Sequence, residues 1–203
     1  MIKAFEEDLV KKLGKEIYER VRKARVGIAG AGGLGSNCAS SLARCGFRDF
    51  IIVDSDRIEA SNLDRQFYFE DQIGMPKVDA LKVNLLRINP AIEIRAVFER
   101  ITDNNIALFF GACDIVAECL DAAESKSMLV AGCMRLGKIV VTASGLGGIG
   151  SSDNIKVTVI KDNLVMIGDQ VSDISTKPAM SPRVAIAAAK QADIILERFT
   201  KTF

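Results

Sequence analysis

The feature that most constrains this chain is a cluster of glycines between a run of apolar residues and a helical pattern. RVGIAGAGGLGS (Arg25 to Ser36) places Gly30, Gly32 and Gly35 at G-x-G-x-x-G spacing, with Gly33 between them. A buried strand that turns sharply into a helix needs residues without a Cβ there, so that the backbone can turn tightly and approach a phosphate closely. The helix that follows points unpaired N–H groups and its positive end at an anion. FIIVDSDRIEASNLDRQF (Phe50 to Phe67) then supplies a second strand ending at Asp54, about 20 residues on, where a carboxylate can accept hydrogen bonds from a ribose. The stretch predicts a nucleotide site.

Around it, strand and helix patterns alternate. An amphipathic helix is expected over about residues 3–22, from Phe5, Leu9, Leu13, Ile17 and Val21. Strands are expected at 25–29, 49–53, 93–101, 114–120 and 138–143. Helices are expected at 36–46, from Pro76 to about 88, at 103–110 after a possible Thr102 cap, and at 122–136. Such alternation predicts an α/β, Rossmann-like, doubly wound and mostly parallel sheet, all within a single domain of 203 residues. After residue 143 the pattern changes. A Gly/Ser loop (144–152) leads to two strands, 155–160 and 164–167, joined as an antiparallel hairpin. A polar loop (168–181) and a last helix (182–199) follow.

Composition narrows the chemistry. The net charge of +1 gives no field for nucleic acid or an anionic membrane, so neither is an expected partner. No apolar run is long enough for a membrane span, and the charged first residues lack a signal-peptide core, so a cytoplasmic location is expected. Histidine is absent, which removes His-based nucleophile activation and proton transfer. The five cysteines (Cys38, Cys45, Cys113, Cys119 and Cys133) contain no C-x-x-C pair, so no zinc is expected. Their predicted place inside helices and strands makes them small buried hydrophobes.

Three further segments bear on which nucleotide is bound. Asn62 and Arg65 lie in a polar loop beyond the Asp54 strand, where an amide and a guanidinium can hold phosphate oxygens. Lys77 stands in the first turn of a helix, which the helix dipole disfavours unless the ammonium serves an anion. Asp121 ends the fourth strand, where it can bind Mg²⁺ or cap the next helix. Arg183 opens the last helix against the dipole, either for a phosphate or carboxylate partner or as a surface arginine. The loop at 144–152 is either a channel for an extended tail or a linker.

With G-x-G-G-L-G-S, the V-D-x-D strand end, N-L-x-R-Q, the P-K-V helix start and the later strand-end Asp in order, the chain resembles the ThiF/MoeB/HesA family, which is similar to ubiquitin-activating enzymes. These motifs span about residues 20–145. GSS at 150–152, GDQVSD at 168–173 and MSPRVAIAAAKQA at 180–192 resemble a short ThiF subfamily of thiamine biosynthesis. The resemblance implies an ATP- and Mg²⁺-dependent adenylyltransferase. Its substrate would be the C-terminal Gly-Gly carboxylate of a ThiS-like ubiquitin-fold carrier protein, activated as an acyl-adenylate in a homodimer. It implies that Gly30, Gly32, Gly33 and Gly35 cradle the nucleotide and that Asp54 holds the ribose. Asn62, Arg65 and Lys77 would contact phosphates, and Asp121 would bind Mg²⁺, with Arg65, Lys77 and Asp121 carrying catalysis. The family's N-terminal arginine segment is missing, and Arg20 or Arg22 is the candidate substitute. The remaining alternatives are another carrier, a peptide or a tRNA as substrate, an NAD-dependent oxidoreductase, and a non-catalytic nucleotide-binding regulator.

Overall fold

A computed structural model of the protein describes residues 2–173 and 176–201. In chain order the elements are α1 (Ile2–Leu13), α2 (Lys15–Lys23), β1 (Arg25–Ala29), α3 (Gly33–Arg44), β2 (Asp49–Asp54), α4 (Lys77–Ile88) and β3 (Glu93–Phe98). They continue as α5 (Ile106–Phe110), β4 (Ile115–Glu118), α6 (Ala123–Arg135), β5 (Ile139–Ala143), β6 (Lys156–Lys161), β7 (Leu164–Gly168) and α7 (Ser181–Thr200). The single N-terminal helix expected over 3–22 is two helices, because the backbone leaves the helical region at Gly14 (φ 81°). Strands β3 and β4 are shorter than their apolar patterns, and Asn105 rather than Thr102 precedes α5. In the loop expected over 168–181, Ile174 and Ser175 lie outside the described residues.

Seven strands form one sheet in the order β3-β2-β1-β4-β5-β7-β6. The pairs from β3 to β7 are parallel, and only β6 and β7 run antiparallel. The expected hairpin is therefore present, and β7 extends the main sheet through its parallel pairing with β5. Val165 and Ile167 explain this: both are buried in the same core as α7.

The sheet is covered on both faces, as a parallel sheet requires. Val26 and Ile28 of β1, Phe50 and Ile52 of β2 and Ile115 of β4 face a core shared with α2, α3, α4 and α7. The alternate residues Ala29, Ile51, Val53 and Val116 face a smaller core with Phe109 and Phe110 of α5 and Leu129 and Cys133 of α6. Helix α7 lies along α3 and over β5 and β7. Its fully buried Gln191 donates from Nε2 to the carbonyls of Glu118 (3.1 Å) and Val141 (3.0 Å). These are the last residue of β4 and the middle residue of β5, so the buried amide finds its acceptors on the two strands it lies over.

Two glycines let α3 begin against the end of β1. Gly30 has φ 94°, and a Cβ there would sit 2.7 Å from the carbonyl oxygen of Cys119. A Cβ on Gly35 would collide with the carbonyl oxygen of Gly30, which is backbone and cannot swing aside. Gly35→Ala is accordingly expected to lower stability by about 3 kcal/mol, at the upper end of overpacking costs. Urea denaturation measures it, and an unchanged midpoint would show that the helix start can slide away from the strand.

Candidate functional site

The strand order reverses between β1 and β4, and in open α/β sheets the crevice at the carboxyl ends of such strands binds ligands. A cleft of about 1350 Å³ opens there. Gly30, Gly32, Gly33, Asp54, Asn62, Arg65, Lys77 and Asp121 all line it. Gly35 does not; it serves the cleft by packing beneath Gly30. Gly32 precedes α3 without a side-chain cap, so the first N–H groups of the helix are left for a ligand.

Asp54 is tied to the glycine loop. Its Oδ2 accepts the N–H of Ala31 (2.6 Å) and its Oδ1 that of Asp56 (2.7 Å). Burial pushes its carboxyl above the ordinary range, against the opposing pull of those two amides and Lys77. Each oxygen retains a lone pair for a hydroxyl donor.

The loop after β2 is stapled to the start of α3. Asn37 Nδ2 donates to the carbonyls of Gly33 (2.7 Å) and Arg65 (3.0 Å). Ser36 Oγ accepts the N–H of Phe67 (3.0 Å) and donates to Gly32 O (2.7 Å). The buried Tyr68 hydroxyl donates to Ala31 O (2.7 Å), and burial pushes its phenol upward. Asn84 Nδ2 holds Phe67 O from α4 (2.9 Å). Ser36 closes the G-x-G-G-L-G-S motif, whereas Asn37, Tyr68 and Asn84 belong to none of the motifs read from the sequence. The available signals were an asparagine directly after the glycine motif and one of only two tyrosines. Within the loop, the buried Asn62 Oδ1 accepts the N–H of Glu59 (3.2 Å). The Arg65 guanidinium is 30% exposed and donates to Ser61 O (2.9 Å) and Asp64 Oδ1 (2.6 Å).

Lys77 is the first residue of α4, after Pro76 at the cap position. Its side chain is only 8% exposed, and Nζ pairs with Asp56 Oδ2 at 2.8 Å. The anion that this lysine serves in the protein alone is thus Asp56, which is itself largely exposed.

On the opposite wall, Asp121 is exposed. Its Oδ1 takes only the N–H of Ala122 (2.7 Å), and Ala122 is the cap residue of α6, so Asp121 does not cap that helix. Its other oxygen is open to the cleft. Among the described residues no three His, Cys, Asp or Glu side chains cluster as a metal site. Asp121 fits a single carboxylate ligand to a divalent cation whose other ligands are phosphates and water.

Arg183 is buried, with a carboxylate partner, and is not a surface arginine. Nη2 pairs with Asp169 Oδ2 (2.7 Å), and Nη1 donates to the carbonyls of Gly150 (2.7 Å) and Ser151 (3.2 Å). The Gly/Ser loop is thereby pinned. Ser144, Gly145 and Leu146 form part of the cleft wall, which a free linker would not do. Arg20 and Arg22 lie elsewhere. Helix α2 ends at the amino edge of β1, across the sheet from the cleft, so these side chains do not line the cleft of their own chain.

Burial disfavours the thiolate at all five cysteines. Four are buried and Cys45 is half-buried. Burial pushes Cys38, Cys113 and Cys133 up to about 12. Cys119, the one thiol lining the cleft among the described residues, is 7% exposed, and burial holds its thiol well above the ordinary range.

The Asp169–Arg183 clamp carries a pH signature. Burial works against the Asp169 carboxylate, but the N–H groups of Ser172 and Val171, the Ser172 hydroxyl and Arg183 outweigh it and hold the group at about 2. A folded value below the unfolded one means stability that is present above about pH 4 and lost as pH falls toward 2. Asp169→Asn should remove about 2 kcal/mol at pH 7 and almost none at pH 2. Urea midpoints of both proteins across that range measure the difference; a pH-independent gap would refute the clamp.

Comparison with known proteins adds identity to this geometry. Residues 6–202 match the model of the ThiF family. The chain is 38% identical over 129 residues to the adenylyltransferase and sulfurtransferase UBA4 of Eremothecium gossypii, covering 63% of this chain and 29% of that protein. It is 36% identical over 130 residues to ubiquitin-like modifier-activating enzyme 5 of Bombyx mori, covering 59% and 33%. The match therefore spans about a third of the length of these relatives. Among solved structures, E. coli tRNA N6-threonylcarbamoyladenosine dehydratase, TcdA, superposes with a TM-score of 0.88 at 21% identity, over 97% of this chain and 94% of that one. TcdA in complex with ATP gives 0.87, also at 21% identity, over 95% and 92%. A glycine-floored cleft at the switch point and a family match over nearly the whole sequence agree: the chain belongs to the ThiF family.

Proposed function

We propose that the protein is an ATP-dependent adenylyltransferase. Its substrate is the C-terminal Gly-Gly carboxylate of a ThiS-like ubiquitin-fold carrier protein, in the thiazole branch of thiamine biosynthesis. The observation that carries this reading is one cleft with a glycine loop, Asp54, Arg65 and Lys77 on one side and the open carboxylate of Asp121 on the other. A carboxylate oxygen attacks the α-phosphorus of ATP, the bond to the bridging β-oxygen breaks, and pyrophosphate leaves with that electron pair. The nucleophile is already ionised, so no base is needed, which suits a chain without histidine and with buried thiols.

Catalysis then rests on position and charge. The N–H groups at the start of α3 and the Arg65 and Lys77 cations receive the phosphates. Asn62 shapes the loop that presents Arg65, and Asp54 receives the ribose hydroxyls. Asp121 would be the protein ligand of Mg²⁺, which when bound neutralises phosphate charge. Arg65 and Lys77 exchange their carboxylate partners Asp64 and Asp56 for phosphate oxygens without leaving the cleft wall.

We extend the proposal to a homodimer, since Arg20 and Arg22 can serve a cleft only from another subunit. Light scattering at micromolar concentration tests this, and a monomer argues against it.

A second reading, a substrate carried on tRNA, is favoured by the overlap with TcdA across most of both chains. A net charge of +1 speaks against it, because phosphate-backbone binding needs a basic surface.

ATP–pyrophosphate exchange should depend on a ThiS-like carrier, and mass spectrometry should find AMP on that carrier. No exchange with any such carrier sinks the reading, and exchange that needs tRNA instead selects the second one. Arg65→Ala and Asp121→Ala should each lower exchange by about 100-fold with the fold intact, the scale of a lost charge-stabilising contact. Rates within about threefold of the parent would remove those residues from the machinery.

A further inference from the structure

Glu118, the last residue of β4, has a fully buried carboxylate. Its Oε1 accepts the N–H of Leu120 (2.7 Å). Its Oε2 accepts Thr142 Oγ1 (2.5 Å) from β5 and Lys126 Nζ (2.9 Å) from α6. Ion pairs at this depth contribute little net stability, because desolvation offsets the attraction. What this one does is fix an ammonium in place. Lys126 is 21% exposed and lines the cleft on the same wall as Asp121. An ammonium has three donors. One is given to Glu118, and the other two have no protein partner among the described residues.

We propose that Lys126, held by Glu118, is the anchor for the terminal carboxylate of the second substrate. This rests on the adenylation reading for the class of that substrate. Placement separates Lys126 from the phosphate cations. The glycine loop, Asp54 and Lys77 form the β1–β2 side, where the nucleotide belongs. Lys126 shares Glu118 Oε2 with Thr142, which puts it on the β4–β5 side of the cleft. The cleft, at about 1350 Å³, has room for both substrates, since sites for one small molecule run to roughly 1,000 Å³. A carboxylate approaching a triphosphate is repelled; a fixed cation beside its path offsets that repulsion and sets the angle of attack.

The test uses two synthetic peptides with the same sequence, one ending in a Gly-Gly carboxylate and the other in the Gly-Gly amide. Their binding is measured by calorimetry in the presence of a non-hydrolysable ATP analogue. The proteins are the wild type, Lys126→Arg and the double variant Lys126→Met/Glu118→Gln. The double variant removes both charges, so no buried carboxylate is left unpaired, and thermal unfolding checks its fold. The wild type should prefer the carboxylate by about 10-fold or more, as a charge-assisted hydrogen bond provides. Lys126→Arg should keep most of that preference and the double variant should lose it. Affinity for the ATP analogue should stay within about twofold throughout, since a purely structural role would move both ligands together. The proposal is overturned by a preference that survives in the double variant, by a parallel loss of ATP-analogue affinity, or by a wild type that does not distinguish the peptides or binds neither. If the wild type distinguishes them yet catalyses no pyrophosphate exchange with any carrier, the adenylation reading fails and the anchor stands.

Discussion

Everything at the cleft depends on how closely the first turn of α3 approaches the end of β1. With no Cβ at Gly35, the helix start rests on the carbonyl of Gly30. That contact aims the free N–H groups of α3 at the crevice and brings Ala31 within reach of Asp54. The neighbouring loop follows from the same contact. Ser36 and Asn37 hold the 60–68 loop only because the helix start is where it is, and Tyr68 reaches back to Ala31 for the same reason. Arg65 is therefore positioned by a chain of hydrogen bonds that ends at a glycine.

The second theme is charge held in reserve. Each cation lining or flanking the cleft that was considered above already has a carboxylate: Lys77 with Asp56, Arg65 with Asp64, Lys126 with Glu118, and Arg183 with Asp169. The pairs differ in depth, and depth separates their roles. Asp56 and Asp64 are substantially exposed, so their cations can change partner at little desolvation cost. Glu118 and Asp169 are buried or nearly so, and their cations stay. The exposed pairs leave a carboxylate free to turn away, and the buried pairs fix geometry.

That difference also explains what the sequence could reveal. The strands, most helices and the glycine loop depend on near neighbours and on periodicity, and they are legible. Gly30, Asp54, Arg65, Lys77 and Asp121 stand at fixed offsets from strand ends, so their meeting in one cleft followed from the doubly wound topology. The partners were not legible. Asp56 closes the V-D-x-D motif yet lies 21 residues from Lys77, and Thr142 lies 24 from Glu118, so no spacing rule pairs either couple. The burial of Arg183 follows from tertiary packing of a loop with no regular pattern. The break at Gly14 was missed because the apolar spacing runs through it unchanged.

Gln191 links the two ends of the story in time. It closes the carbonyls of Glu118 and Val141 from 73 and 50 residues downstream. Both strands precede α7 in the chain, so these two carbonyls gain their side-chain partner only when the last helix packs. Helix α7 also packs along α3, the helix that starts at the glycine loop, so both sides of the cleft wait on the last helix. The glycine loop therefore reaches its final packing only when Val184 of α7 arrives against Gly33.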